Sequence, residues 1–92
     1  MIDITIRAFA KFRELFGSET PVSVPEGTTA LDALVQFAKT VPSAEAELFE
    51  NGELKGHVVL MYNRERIDAE DAADITLEDG DEIVLYPPVS GG

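Results

Sequence analysis

The first segment of the chain has an apolar residue at every second position. Ile2, Ile4 and Ile6 alternate with the polar residues between Asp3 and Arg7. Because successive side chains of a β-strand point to opposite faces, this period of two predicts a strand with one buried face. The buried face of a sheet has to be covered by a second layer.

One later segment has the spacing of a helix that could form this layer. Apolar residues recur at helical intervals at Leu31, Leu34, Val35 and Ala38. Thr29 followed by Asp32 resembles a capping box, although aspartate replaces the usual glutamate. Pro42 disfavours helical backbone in the residue before it, which predicts that the helix stops near Thr40-Val41.

The remaining segments predict short elements joined by turns. Further strands are predicted at Thr20 to Val24, His57 to Tyr62, Arg66-Ile67 and Glu82 to Tyr86. Short helices are predicted at Ala8 to Phe16, where Gly17 suits a left-handed C-cap, and at Ser43 to Phe49. Turns or loops are predicted at Asn51-Gly52, Asn63-Arg64-Glu65 and Asp68 to Asp74. Pro21 predicts that the second strand lies at an edge or that the strand starts at this residue. We therefore predict a single α+β domain over residues 1–92, with one main helix packed on a mixed sheet.

Composition excludes several classes of function. The chain has 7 Lys and Arg against 18 Asp and Glu, a formal charge of −11, and no cysteine. Without cysteine there are no disulfides, thiolate metal sites or cysteine nucleophile. The charge argues against nucleic acid or an anionic membrane as partner, and it indicates either a basic protein partner or a salt-rich cytoplasm, with simple solubility as the alternative. The N-terminus lacks a signal-peptide pattern, so a cytoplasmic location is expected.

The end of the chain carries the most specific functional signal. Pro87 and Pro88 terminate the last predicted strand, because neither can donate to a sheet ladder. We predict a flexible tail over residues 87–92, with an extended reach of about 20 Å. Gly91 and Gly92 have no Cβ and could pass through a narrow channel. The Gly92 carboxylate is the predicted reactive group, and an inert, frayed end is the alternative.

Four stretches of the chain resemble the MoaD and ThiS group of ubiquitin-like sulfur carriers, which have the β-grasp fold. They are Phe9-Ala10-Lys11-Phe12-Arg13-Glu14-Leu15-Phe16-Gly17, Thr28 to Leu34, Asn63-Arg64-Glu65, and Asp79-Gly80-Asp81-Glu82 continuing to Pro87-Pro88-Val89-Ser90-Gly91-Gly92. The Pro-Pro before the tail favours MoaD over ThiS. The acidic stretch from Ala44 to Gly56 is closer to archaeal relatives, which include the small archaeal modifier proteins. Asn63-Arg64 departs from the Asn-Gly often found at that hairpin.

This resemblance implies a chemistry that other proteins carry out on Gly92. A ubiquitin-activating-like, MoeB-like enzyme would use ATP to adenylate the carboxylate, and a sulfur donor would convert it to a thiocarboxylate. The tail would then enter the MoaE-like large subunit of molybdopterin synthase and donate sulfur during molybdopterin synthesis. In the modifier branch a target lysine attacks Gly92 instead. The chain itself would be a cosubstrate rather than an enzyme, with no bound cofactor, and a non-reactive interaction module is the third alternative.

Other residues are implied in contacts with these partners. Pro87, Pro88, Val89, Ser90 and Gly91 would insert with Gly92, and the resemblance places Phe9, Arg13 and Tyr86 at the partner surface. The alternatives are that Phe9 is a core residue, that Arg13 pairs with Glu14 or nearby aspartates on a solvated face, and that Tyr86 buries its ring and leaves its hydroxyl wet.

Two further features leave their roles open. Val58, Leu60 and Tyr62 lie on one face of a strand and Val59 and Met61 on the other, as do Ile83 and Leu85 against Val84 and Tyr86. Whichever face is exposed is a candidate apolar docking patch.

His57 is predicted to be a strand-edge residue, and the acidic runs do not fit a calcium-loop spacing, so no metal site is predicted.

Overall fold

The computed structural model describes residues 1–51, 53–55 and 58–87. Its strands are β1 (Ile2–Ala8), β2 (Glu19–Val24), β3 (Phe49–Glu50), β4 (Glu53–Leu54), β5 (Val59–Tyr62), β6 (Glu65–Ile67) and β7 (Glu82–Tyr86). Its helices are α1 (Ala10–Phe16), α2 (Ala30–Thr40), α3 (Pro42–Leu48) and α4 (Ala69–Ala72).

The main sheet has the strand order β2-β1-β7-β5-β6. β1 and β7 are parallel, whereas the pairs β1–β2, β5–β7 and β5–β6 are antiparallel. The strand that contains Pro21 lies at the edge of the sheet, one of the two alternatives predicted, because proline has no backbone N–H to donate to a neighbouring strand. β7 lies in the middle of the sheet between β1 and β5, so the strand that precedes the tail is held on two sides.

α2 covers one face of this sheet and forms the core with it. The alternating residues of β1 are buried there, together with Leu60, Ile83 and Leu85 from β5 and β7. The predicted apolar face of the helix is partly wrong. The fully covered residues of α2 are Ala30, Ala33, Leu34, Phe37 and Ala38, whereas Leu31 and Val35 are only half-buried. The helix is rotated so that the large ring of Phe37 is buried, and the three buried alanines allow close packing on this side of the helix.

The ends of α2 follow local signals in the sequence. The Thr29 side chain accepts a hydrogen bond from the backbone N–H of Asp32 at 3.2 Å, which is the predicted N-cap contact. The helix ends at Thr40, and α3 begins at Pro42, which occupies the first turn, where no intrahelical N–H partner is required.

The start of α1 differs from the prediction. Ala8 belongs to β1 and Phe9 is extended, so the helix begins at Ala10, whose φ of 55° is in the left-handed region. Gly17 has a positive φ of 92°, but its ψ of 160° is extended rather than left-handed helical. Its N–H still donates to the Arg13 carbonyl at 3.0 Å, which closes the helix.

Two other turns refine the prediction. Asp68 to Asp74 was predicted as a loop, but Ala69–Ala72 forms a short helix because Asp68 and Asp71 cap each other's backbone N–H groups. Asn63 and Arg64 form the two-residue turn between β5 and β6, with φ values of 47° and 76°. Both positive φ values match the type I′ geometry that twisted hairpins favour.

With this order of elements, the described residues have the predicted β-grasp architecture, a mixed sheet wrapped around one main helix. Among the helices so described, none is long and apolar enough to cross a membrane.

Candidate functional site at the base of the tail

The predicted reactive residues lie beyond the last strand. Pro88, Val89, Ser90, Gly91 and Gly92 are outside the described residues, as is His57. Pro87 is the last residue described, and it is half-buried directly after β7. The candidate site that the structure shows is therefore the base of the tail and its surroundings.

An aromatic pair marks this base. The rings of Phe9 and Tyr86 are stacked, with centroids 5.0 Å apart and planes inclined by 10°. The backbone N–H of Phe9 also donates to the Leu85 carbonyl at 3.1 Å. Phe9 is 37% exposed, so it is not a core residue. The two residues meet because β1 and β7 run parallel and end at the same edge of the sheet.

Arg13 lies one helical turn beyond Phe9. Its backbone N–H donates to the Phe9 carbonyl at 3.4 Å, and its side chain is exposed. The alternative of an ion pair with Glu14 or an aspartate is not seen within residues 1–51, 53–55 and 58–87. Arg13 is therefore accessible beside the aromatic pair.

The second face of the sheet is the one left uncovered by α2. We call it the open face, and it contains Val59, Met61, Val84 and Tyr86, which are cross-strand neighbours on β5 and β7. Val84 is only 6% exposed, whereas Val59, Met61 and Tyr86 are half-buried. The open face is therefore the candidate for the apolar docking patch that the sequence predicts on whichever sheet face is exposed.

Charged residues flank the open face on both sides. Arg7, Val84, Met61 and Arg66 are successive partners across β1, β7, β5 and β6. With neighbouring strands about 4.8 Å apart, the two arginines are roughly 14 Å apart across the row. Arg7 also contacts Glu82 at 3.4 Å and Glu19 at 3.9 Å, and these exposed ion pairs contribute little stability.

A network of hydrogen bonds fixes the start of β7. It was not predicted from the sequence. Asp81 is 7% exposed and accepts three hydrogen bonds. The donors are the Tyr62 hydroxyl at 2.6 Å, the Asn63 side-chain amide at 3.0 Å and the backbone N–H of Glu78 at 2.8 Å. Asn63 in turn accepts from the backbone N–H of Glu82 at 2.9 Å. The network joins the β5–β6 turn to the strand that leads into the tail.

The network also sets the protonation of its two titratable members. Burial by itself would raise the pKa of Asp81, but the hydrogen bonds from Asn63, Tyr62 and Glu78 outweigh it and hold that pKa below its usual value. The hydrogen bond to the Asp81 carboxylate, followed by burial, raises the pKa of Tyr62 to about 12. Asp81 is therefore a charged acceptor at neutral pH and Tyr62 a neutral donor.

Neither the open face nor the network contains a cluster of potential metal ligands. Within the described part of the chain, no group of three or more His, Cys, Asp or Glu residues could hold a metal ion. The open face lies next to the end of β7, where the described part of the chain ends at Pro87.

Comparisons with known proteins identify the class. A family model described as the ThiS family matches residues 6–92, and the chain belongs to this family. This confirms the predicted membership of the MoaD and ThiS group of sulfur carriers and the β-grasp fold.

Two relatives and one solved structure illustrate the similarity. Small archaeal modifier protein 3 of Haloferax volcanii is 32% identical over 92 residues, which cover 99% of this chain and 100% of that protein. The molybdopterin synthase sulfur carrier subunit of Drosophila ananassae is 32% identical over 96 residues, covering 100% of this chain and 93% of that protein. The crystal structure of SAMP1 from Haloferax volcanii superposes with a TM-score of 0.86 at 34% identity, covering 98% and 99% of the two chains.

Proposed function

We propose that this chain is a sulfur carrier for molybdopterin synthesis that reacts through Gly92. The observation that carries the proposal is the position of β7, a central strand that ends at Tyr86, whose ring is stacked on Phe9. Such an anchor lets a partner bind the domain and receive the Pro-Val-Ser-Gly-Gly sequence that follows. The similarity to molybdopterin synthase sulfur carrier subunits supports this cofactor pathway.

The proposed reaction takes place in two steps in a partner's active site. The Gly92 carboxylate attacks the α-phosphate of ATP, pyrophosphate leaves, and an acyl-adenylate forms. Hydrosulfide from a sulfide donor then attacks the carbonyl carbon, a C–S bond forms, and the bond to AMP breaks; loss of the sulfur-bound proton yields the thiocarboxylate. ATP is bound by the MoeB-like adenylating enzyme, and this chain supplies the carboxylate and the docking surface in the cytoplasm, without a bound cofactor or an active site of its own.

The open face gives the expected chemistry of the docking partner. Its apolar centre at Val84 and Met61 favours an apolar patch on the adenylating enzyme or on the MoaE-like large subunit. Arg7 and Arg66 on either side favour carboxylates on the partner at a similar spacing. The net charge of −11 still favours a basic channel mouth where the tail enters.

Intact-mass measurement tests the reaction. With the adenylating enzyme, ATP and a sulfide donor, the mass should rise by the difference between sulfur and oxygen, and removal of Gly92 should abolish the change. An unchanged mass with an enzyme that thiolates another carrier of the family would refute the proposal.

A matched pair of variants tests docking through the open face. Met61→Glu places a charge in the apolar row, and the KM for the carrier should rise roughly tenfold or more with little change in kcat, because docking precedes chemistry. Gln36→Glu adds the same charge at an exposed position of α2 and should leave KM unchanged. Equal KM values for the two variants would argue that the open face is not the docking surface.

A second function is favoured by the names of two relatives. Small archaeal modifier proteins 3 and 1 of Haloferax volcanii are 32% and 36% identical to this chain. A modifier would join Gly92 to lysines of target proteins by an isopeptide bond. Because Arg66 is the last basic residue, trypsin would leave residues 67–92 on the target lysine. A Ser90→Arg variant shortens this remnant to Gly-Gly, so its recovery from cell extracts distinguishes conjugation from sulfur transfer alone.

A further inference from the structure

The amines of the three lysines of the chain differ in whether they form an ion pair or a hydrogen bond. They are Lys11, Lys39 and Lys55. Lys11 Nζ lies 3.3 Å from Glu47 Oε1, and Lys55 Nζ donates to the Ala46 carbonyl at 3.1 Å, so both amines are directed onto α3. Lys39 is exposed in the last turn of α2, and within the described part of the chain its amine has no ion pair or hydrogen bond.

Lys39 also borders a groove between α2, α3 and the β3–β4 hairpin. The groove is lined by Val35, Ala38, Lys39, Glu45, Phe49 and Asn51. Its floor is apolar, because Ala38 is buried and Val35 and Phe49 are half-buried. Its rim carries one cation, one carboxylate and one amide, so an extended segment with a small apolar residue and a terminal carboxylate is complementary to it.

We propose that Lys39 is a modification site at which this chain is joined to Gly92 of a second copy. This inference rests on the proposed reactivity of Gly92. The residues Pro88 to Gly92 of the second copy are the expected occupant of the groove, because they offer one apolar side chain, Val89, followed by small residues and a carboxylate. In the acyl-adenylate this negative charge lies on the phosphate of AMP that is bonded to Gly92, and it is complementary to the Lys39 ammonium group at the rim before the amine loses its proton.

The bond-forming step balances with the acyl-adenylate described above. The neutral Lys39 amine attacks the activated Gly92 carbonyl carbon, a C–N bond forms, and the bond to AMP breaks. AMP leaves with the electron pair, and the proton of the amine passes to solvent or to the Glu45 carboxylate, which lines the same groove. A groove that holds the tail next to Lys39 raises the effective concentration of the Gly92 carbonyl carbon at the Lys39 amine. Lys11 and Lys55 do not border this groove and do not gain from it.

A donor activated chemically tests this proposal without the adenylating enzyme. The donor is the full chain with Lys11→Arg, Lys39→Arg and Lys55→Arg and a C-terminal 2-mercaptoethanesulfonate thioester, so it has no lysine acceptor of its own. The acceptors are the wild-type chain, Lys39→Arg, and the Lys11→Arg/Lys55→Arg double variant. Conjugates are counted by intact mass, and the acceptor lysine is mapped by the 67–92 remnant after trypsin digestion.

The expected result is that Lys39→Arg lowers the lysine-linked conjugate roughly fivefold or more, whereas the double variant keeps most of it. Val35→Glu, which obstructs the groove with Lys39 still present, should lower the yield as well. Gln36→Glu adds the same charge at the neighbouring exposed position and should not. Equal use of the three lysines, or equal yields from Val35→Glu and Gln36→Glu, would overturn the proposal.

Failure of this test is distinguishable from failure of the sulfur-carrier function. The thioester supplies activation directly, so the conjugation assay reports only on the acceptor. The mass change on thiocarboxylate formation reports only on the enzymatic activation of Gly92.

Discussion

Removal of the Asp81 carboxylate should cost more stability than removal of any exposed acid of the chain. In the Asp81→Ala variant the Tyr62 hydroxyl, the Asn63 amide and the Glu78 N–H lose a charged acceptor. Hydrogen bonds to charged groups contribute about 1.5–3 kcal/mol each, but these three share one acceptor and are not additive. Because Asn63 and Glu78 are exposed and regain water, we expect a loss of about 3 kcal/mol in the free energy of unfolding.

Urea unfolding followed by far-ultraviolet circular dichroism measures this loss. For a domain of this size it corresponds to a decrease in Tm of roughly 15 °C. Asp74→Asn is the control, because Asp74 is exposed and its side chain has no hydrogen bond or ion pair within the part of the chain that the structure describes. A loss below about 1 kcal/mol in Asp81→Ala would refute a stabilising role for the network.

The pH dependence gives an independent check of the same network. In the folded protein the pKa of Asp81 is below its usual value, so the unfolded chain takes up its proton at higher pH. The stability that the ionised Asp81 carboxylate contributes is fully present above the pKa of an aspartate in the unfolded chain, about 3.9. It is lost as the pH falls through the lower pKa of Asp81 in the folded protein. The stability difference between wild type and Asp81→Asn should therefore shrink as pH decreases below about 4. A constant difference across this range would contradict the assigned pKa direction.

Three further predictions follow from local geometry. Ala10→Gly should stabilise the protein by about 1 kcal/mol, because Ala10 has a φ of 55°, in the left-handed region that glycine adopts without strain. Ala46→Gly, at an exposed position of α3, should instead destabilise it by a similar amount; thermal melts measure both changes. Arg64→Gly should raise the unfolding midpoint, since φ at Arg64 is 76° in the two-residue turn; a lower midpoint would show that the turn is not type I′. In a tyrosinate absorbance titration of the folded protein, Tyr62 should ionise at about 12, and the Asp81→Asn variant should bring this midpoint down.

Sequence alone predicted the elements whose signals are local. The alternation in β1, the proline at the edge of β2 and the end of α2 before Pro42 each depend on a few neighbouring residues. The short helix α4 was missed because its capping aspartates also resemble a solvated acidic loop. The buried face of α2 was predicted correctly only in part. The prediction omitted Phe37, the largest side chain that this helix buries.

Features that depend on pairing between distant segments could not be predicted from residue patterns. Both faces of β7 are apolar, with Ile83 and Leu85 on one and Val84 and Tyr86 on the other. Only the register with β1 and β5 decides which pair meets α2. Asp81 lies within a stretch that resembles the family motif. Its role as a hydrogen-bond acceptor, however, requires the turn at Asn63 to lie against the start of β7. Burial of a lone aspartate has no periodic signal.

The parallel pairing of β1 with β7 explains why a partner that receives the tail should also contact α1. Parallel strands end at the same edge of a sheet, so Ala8 lies next to Leu85 and the chain beyond each strand leaves from one place. Phe9 then stacks on Tyr86, and Arg13 follows one turn later on an exposed surface. A protein that encloses the tail up to Pro87 must approach this edge. Phe9→Ala should therefore weaken binding of the partner more than Leu15→Ala, which removes a similarly exposed apolar side chain from α1, the helix that follows Phe9. Equal dissociation constants for the two variants, measured by isothermal titration calorimetry with the adenylating enzyme, would show that the partner does not contact the aromatic pair.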